Sequence, residues 1–68
     1  MERKSVSSSN IKSIGYLLNV LEIEFKNRSI YQYGNVPENI YNRLMSSSSK
    51  GTYLSENIKD SYSCRKIR

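Results

Sequence analysis

The stretch Val20-Leu21-Glu22-Ile23-Glu24-Phe25 decides the fold class. From Leu21 onward, apolar and acidic side chains alternate one for one, the period of a half-buried β-strand and not of a helix. Successive side chains of a strand point to opposite faces, so Leu21, Ile23 and Phe25 are expected inward and Glu22 and Glu24 outward. The segments on either side read the same way. Upstream, Asn10–Tyr16 (NIKSIGY) is strand-like, with Ile14 and Tyr16 on one face and Ile11 breaking the alternation. Downstream, Ser29–Tyr33 (SIYQY) is rich in β-formers and makes a third strand. Lys26-Asn27-Arg28-Ser29 joins the last two, with Asn27 expected in the left-handed conformation of a tight turn. Loop parity then sets the faces. An Asn27-Arg28 two-residue turn is the favoured case; it pairs Phe25 with Ile30 and turns Tyr31 and Tyr33 outward, beside Glu22 and Glu24. An odd loop would reverse this and bury both tyrosines.

Beyond Gly34 the period changes. Asn35-Val36-Pro37-Glu38 has the marks of a helix start, with a capping side chain, an early proline and an acid three residues on. Ile40, Tyr41, Leu44 and Met45 then fall on one helical face. The serines at 46–49 interrupt the pattern and open a second helix, Lys50 to Lys59, with Leu54 and Ile58 aligned and Tyr53 beside them. Tyr62–Arg68 is either a short strand or a tail. The expected fold is α+β: an antiparallel meander of three or four strands followed by two short helices on one face. Its core is expected to be Leu21, Ile23, Phe25, Ile30, Ile40, Leu44, Leu54 and Ile58.

Composition bounds the chemistry. Sixty-eight residues make a single domain (1–68), here expected to be ordered over about 7–62 with basic ends. Apolar residues are 37% of the chain, and six of the seven aromatics are tyrosine, so several tyrosines must serve as core. Histidine is absent, which removes an imidazole base and any histidine-ligated metal. One cysteine allows neither an internal disulfide nor a structural zinc site. There is no apolar run of membrane-spanning length, and the opening MERKSVSSSN lacks a signal-peptide core. These features lead us to expect a non-catalytic, soluble, cytoplasmic domain with no metal, no cofactor and no membrane partner.

The formal charge is +5, and all of the excess is terminal. Arg3, Lys4 and Lys12 outweigh Glu2 at one end, and Arg65, Lys66 and Arg68 stand unopposed at the other, while basic and acidic residues balance over 13–60. A solvated basic tail is the ordinary account. A phosphate-contacting patch where the termini meet is the sharper one.

One ordered set of residues resembles a known family. It comprises Ser8-Ser9-Asn10-Ile11, Gly15-Tyr16, Leu21-Glu22-Ile23-Glu24-Phe25, Tyr31-x-Tyr33, Val36-Pro37, Tyr41, Leu44, Ser48-Ser49-Lys50-Gly51, Tyr53, Asn57-Ile58-Lys59 and Tyr62. In this order and spacing it is similar to the KTSC domain. That family is named for its place at the C-terminus of some lysyl-tRNA synthetases, and it also occurs as free-standing bacterial and phage proteins. The resemblance runs from about Ser7 to Ile67 and implies a β-then-α domain with an RNA-binding role. Three positions depart from the family pattern. Only Leu17-Leu18-Asn19-Val20 fills the usually longer turn before the Leu-Glu strand. Arg28 stands where the hairpin glycine is usual, and Gly34 stands where an aromatic commonly follows Tyr-x-Tyr.

The candidate binding residues are Tyr31, Tyr33, Lys50, Arg65, Lys66 and Arg68. Tyrosines projecting from a sheet can stack unpaired bases, although Glu22 and Glu24 on the same face would repel phosphate, and packing is the plainer role. Ser48-Ser49-Lys50-Gly51 at a helix start could hold an anion, but it lacks the glycine spacing of a P-loop, and simple capping explains it as well. Cys64 beside Arg65 and Lys66 has a favoured thiolate but no base or resolving partner. Ser63 and Thr52 likewise have no base. Glu22 and Glu24 are too few to hold a divalent cation. The partner expected from these features is single-stranded nucleic acid, RNA before DNA, met by Lys50, Arg65, Lys66 and Arg68 at phosphates and by Tyr31 and Tyr33 at bases. The alternative is a protein-interaction module attached to a larger partner.

Overall fold

The computed structural model describes all residues, 1–68. It contains five antiparallel strands in one open sheet, ordered as they occur in the chain: β1 Arg3–Ser5, β2 Ile11–Leu17, β3 Val20–Phe25, β4 Ile30–Tyr33 and β5 Cys64–Lys66. Helices α1 (Glu38–Ser46) and α2 (Lys50–Asn57) lie between β4 and β5. The α+β class and the β-then-α order agree with the sequence reading, and the sheet has two more short strands than its central meander. Both added strands carry the basic ends, and the chain's own ladder bonds hold them in place.

The β2–β3 hairpin closes through Leu18 and Asn19, with Leu17 opposite Val20. Both turn residues have positive φ, 50° and 66°, as a type I′ turn requires. At the other end of β2 the register slips between Ile11 and Ser13, so Lys12 is an extra residue in the ladder. This bulge explains the broken alternation: it rephases the strand so that Ile11 and Ile14, three apart, are both fully buried.

The β3–β4 loop corrects the expected parity. The Phe25 amide donates to the Ser29 carbonyl at 2.9 Å, which closes a three-residue loop of Lys26, Asn27 and Arg28. Arg28, not Asn27, is left-handed (φ 75°), and Asn27 instead accepts the Ser29 amide on its Oδ1 at 3.0 Å. A type I turn followed by one left-handed residue is the usual three-residue hairpin. The odd count pairs Ile23 with Tyr31 and Leu21 with Tyr33, so both tyrosines face the helices. Ile30 pairs with Glu24 on the opposite face; it is buried, but outside the main core.

The core is Ile11, Ile14, Leu21, Ile23, Tyr33, Val36, Leu44, Leu54 and Ile58. Phe25 and Ile40, expected inside, are half-buried at its margin. Helices of nine and eight residues are shorter than the ~12–15 that an isolated helix needs, so packing holds them. Neither has a side-chain N-cap bond. Pro37 occupies the first cap position, Asn35 is left-handed (φ 58°) and does not cap, and Ser49 caps without using its hydroxyl. The entry to α1 is pinned from the sheet instead. The Tyr16 hydroxyl reaches the Val36 carbonyl, the Val36 amide donates to the Asn19 carbonyl at 2.8 Å, and the Tyr16 and Tyr41 rings stack at 4.6 Å.

The face away from the helices carries a polar clamp. Arg3 binds Glu22 and donates to Ser13 Oγ at 3.1 Å. Ser13 donates to Glu24 at 2.9 Å, Gln32 donates to Glu22 at 2.8 Å, and Arg68 lies 3.7 Å from Glu24. Gly15 makes this possible, since a Cβ there would stand 2.9 Å from the Arg3 Cγ and 2.8 Å from the Glu2 carbonyl. Burial alone would raise the Glu22 carboxyl, but hydrogen bonds from Gln32 and Arg3 outweigh it and hold the group below the ordinary 4.5. The Ser13 hydroxyl, with help from Lys12, Arg3 and Arg68, does the same for Glu24.

Two outcomes are expected. Both carboxylates titrate lower in the native state than in the unfolded chain, so their contribution is complete above the ordinary carboxylate value and is lost as pH falls through the lowered native values. Urea midpoints should hold steady from about pH 7 to 5 and then decline, and replacing both Glu22 and Glu24 with Gln should flatten that decline. In the hairpin, Leu18→Asn should stabilise the protein by about 0.5–1 kcal/mol, because Leu18 is 85% exposed and loses no packing when a residue better suited to positive φ replaces it. A thermal melt should show a rise of roughly 2–8 °C in Tm.

Candidate functional site

With both tyrosines on the helix face, a groove forms between β4, β5 and α2. Its volume is about 470 Å³, and its walls include Phe25, Tyr31, Tyr33 and Leu54. Polar groups enter from Asn10, Ser55, Lys59, Asp60 and Cys64. Tyr31 is half-buried and meets Phe25 edge to face at 5.8 Å, which fixes its ring while leaving part of it open. Tyr33 forms the floor, and only 3% of it is exposed. Burial, with the Cys64 thiol as the next contributor, pushes its phenol well above the ordinary 10. A buried ring of this kind packs and presents no stacking face, so of the two tyrosines only Tyr31 keeps part of its ring open.

The six candidate residues separate onto different surfaces. Lys66 stands directly across the ladder from Tyr31, and Cys64 stands across from Tyr33, so both share the groove face. Arg65 pairs with Gln32 and belongs to the opposite face. Arg68 is on that face too, held near Glu24. Lys50 begins α2 and donates from Nζ to the Ser47 carbonyl at 2.9 Å, which fastens the inter-helix link. Beside it, Ser8, Ser9, Ser48, Ser49, Gly51 and Thr52 line a wholly polar depression. Gly51 fits tightly here, since a Cβ would meet Asn10 Oδ1 at 2.7 Å. The two serine runs, far apart in sequence, therefore meet around the start of α2.

Sequence reading missed Phe25, Asn10, Lys59 and Asp60 as groove residues. Phe25 looked like plain core because of its clean alternation, and the other three lie at element ends where periodicity carries no signal. Nothing in the sequence placed the end of α2 against β4 and β5. Glu22 and Glu24 are engaged by Arg3 and Arg68, and no group of three His, Cys, Asp or Glu side chains converges anywhere in the chain. No helix is long and apolar enough to cross a membrane.

Comparison with known proteins fits this architecture. The family model of the KTSC domain matches residues 7–62. An uncharacterized protein of Stutzerimonas stutzeri is 31% identical over 61 residues, a span covering 87% of this chain and 86% of that protein. The crystal structure of a KTSC domain protein from Yersinia pestis is similar with a TM-score of 0.93 and 46% sequence identity, covering 98% of this chain and 97% of that one. A family match across most of the chain, and a solved member of that family with the same fold end to end, show that this chain belongs to the KTSC domain family.

Proposed function

We propose that the protein binds single-stranded nucleic acid, RNA above all, in the groove between β4, β5 and α2. The observation that carries this reading is a half-open aromatic ring with one lysine lining the same groove and a second on the same sheet face. Tyr31 offers part of its face, Lys66 sits across the ladder from it, and Lys59 enters from the end of α2. Stacking on an aromatic ring suits any unpaired base and contributes about 1–3 kcal/mol per base. Ammonium groups beside it supply the sequence-independent attraction to phosphate. Lys26 and Arg28 extend this charge along the β3–β4 loop, whose Lys26 amide donates to the Asn10 carbonyl at the groove edge.

This arrangement differs from a patch built on the chain termini. Arg68 is drawn to Glu24 on the far face and Arg65 points away from the groove, so neither is central to binding here. A protein-interaction role is the second reading. It draws support from the β2–β3 hairpin, where Leu17 and Leu18 are 54% and 85% exposed, on the side of the molecule served by Tyr16 and Tyr41. The two readings differ in salt response, because counterion release makes nucleic-acid binding weaken steeply with salt while an apolar contact does not.

Fluorescence anisotropy of a labelled oligonucleotide across a salt series tests the proposal. Tyr31→Ala should weaken binding by roughly 5- to 100-fold with the salt slope unchanged, and Tyr31→Phe should retain most of the affinity. Replacing Lys59 and Lys66 with Gln should lower the slope by about 0.7 for each phosphate contact removed. Leu18→Asn should leave binding as it is. Absence of binding at low salt, or a Lys59/Lys66 double variant with wild-type slope, would refute the reading in favour of the hairpin as the working surface.

A further inference from the structure

The groove holds one acidic side chain, and its position is out of keeping with a site that only attracts phosphate. Asp60 lines the groove together with Lys59, Phe25 and Tyr31. The chain's ion pairs all belong to Glu22 and Glu24, so the Asp60 carboxylate is free of any cation within the protein. It is close enough to the Tyr33 phenol on the groove floor to oppose its ionisation. An unpaired carboxylate repels a phosphate backbone. Its useful place in such a site is against the edge of a base, where it accepts hydrogen bonds.

From this arrangement we infer that Asp60 selects guanine as the base held against Tyr31, a reading that rests on the groove being a nucleic-acid site. Stacking alone does not tell bases apart, so discrimination must come from hydrogen bonds at the base edge. A carboxylate accepts and does not donate. Guanine presents two adjacent N–H donors on its Watson–Crick edge, which both oxygens of one carboxylate can receive together. Adenine and cytosine each present one amino group beside an acceptor nitrogen, and uracil presents one N–H between two carbonyl oxygens. Those acceptors face the carboxylate with like partial charge. The groove volume of about 470 Å³ leaves room for a purine. Asn10 and Ser55 add neutral polar groups to the lining.

The test compares labelled U8 RNA with the same octamer carrying one central G, A or C, using wild type and Asp60→Asn at one fixed low salt. The G-containing octamer should bind wild type about tenfold more tightly than U8, with A and C close to U8. Asp60 is exposed, so the variant should fold as wild type does, and circular dichroism would verify that. In Asp60→Asn the G-to-U ratio should fall to near one. Equal binding of all four octamers by wild type, or a G preference that survives in Asp60→Asn, would overturn the role of Asp60 while leaving the groove as a binding site. Failure of every octamer to bind would overturn both.

Discussion

Everything distinctive about this molecule depends on the residue count of one loop. The β3–β4 connection closes over three residues because Arg28 accepts a left-handed backbone at φ 75°. A two- or four-residue loop would shift the pairing by one and exchange the two faces of β4. Tyr31 and Tyr33 would then lie among the carboxylates, and Ile30 and Gln32 would lie under the helices. The core would lose a buried tyrosine and the groove would lose its aromatic wall. For a non-glycine residue the left-handed conformation costs about 1–2 kcal/mol. That cost falls on a residue whose side chain is exposed and touches no core. The register is held against it by burial of Tyr33 with Leu21, and of Tyr31 beside Ile23 and Phe25.

The same parity organises the far face. Once Gln32 opposes Glu22, the two carboxylates of β3 acquire donors from both sides, Arg3 and Ser13 from β1 and β2 and Gln32 and Arg68 from β4 and the C-terminal end. The clamp joins the two ends of the chain to the middle of the sheet. It also decides which basic residues are left for other work. Of the terminal cations, Arg3 and Arg68 are drawn in by Glu22 and Glu24, whereas Lys66 remains free on the groove side. The terminal excess of charge is thus a poor guide to where an anion would bind. Surface pairs contribute little individually, but Glu22 and Glu24 are buried, and a buried carboxylate left without its donors is costly.

Sequence reading recovered the three central strands, both helices and the side of β3 that faces the helices, because each rests on a run long enough for its period to show; it did not foresee that Glu22 and Glu24 on the other side are buried as well. It failed where one residue changes the phase. Lys12 is such a residue: the three-residue spacing of Ile11 and Ile14 was visible, and a bulge is the one arrangement that buries both from a strand. Arg28 is another, since the rule that Asn favours a left-handed turn pointed one position too early and so to the wrong face for the tyrosines. The edge strands β1 and β5 are three residues each, too short for any periodic signal, and they are fixed by long-range pairing alone. The candidate groove was half legible. Tyr31 and Lys66 could be named, but Asn10, Lys59 and Asp60 come together only through the docking of α2, which the local sequence does not encode.

A chain with so few apolar residues has to build its core from rings that in a larger protein would be free for function. The Tyr-x-Tyr pair holds a core ring and a half-open one two residues apart. Tyr33 ends β4 with Cys64 across the ladder, and its burial raises the phenol above the ordinary 10. Tyr31 sits closer to the loop and stays half-buried, with Phe25 supporting its ring edge to face. At eight residues α2 contributes Gly51, Leu54 and Ser55 to the groove, and Lys59 and Asp60 follow just past its end.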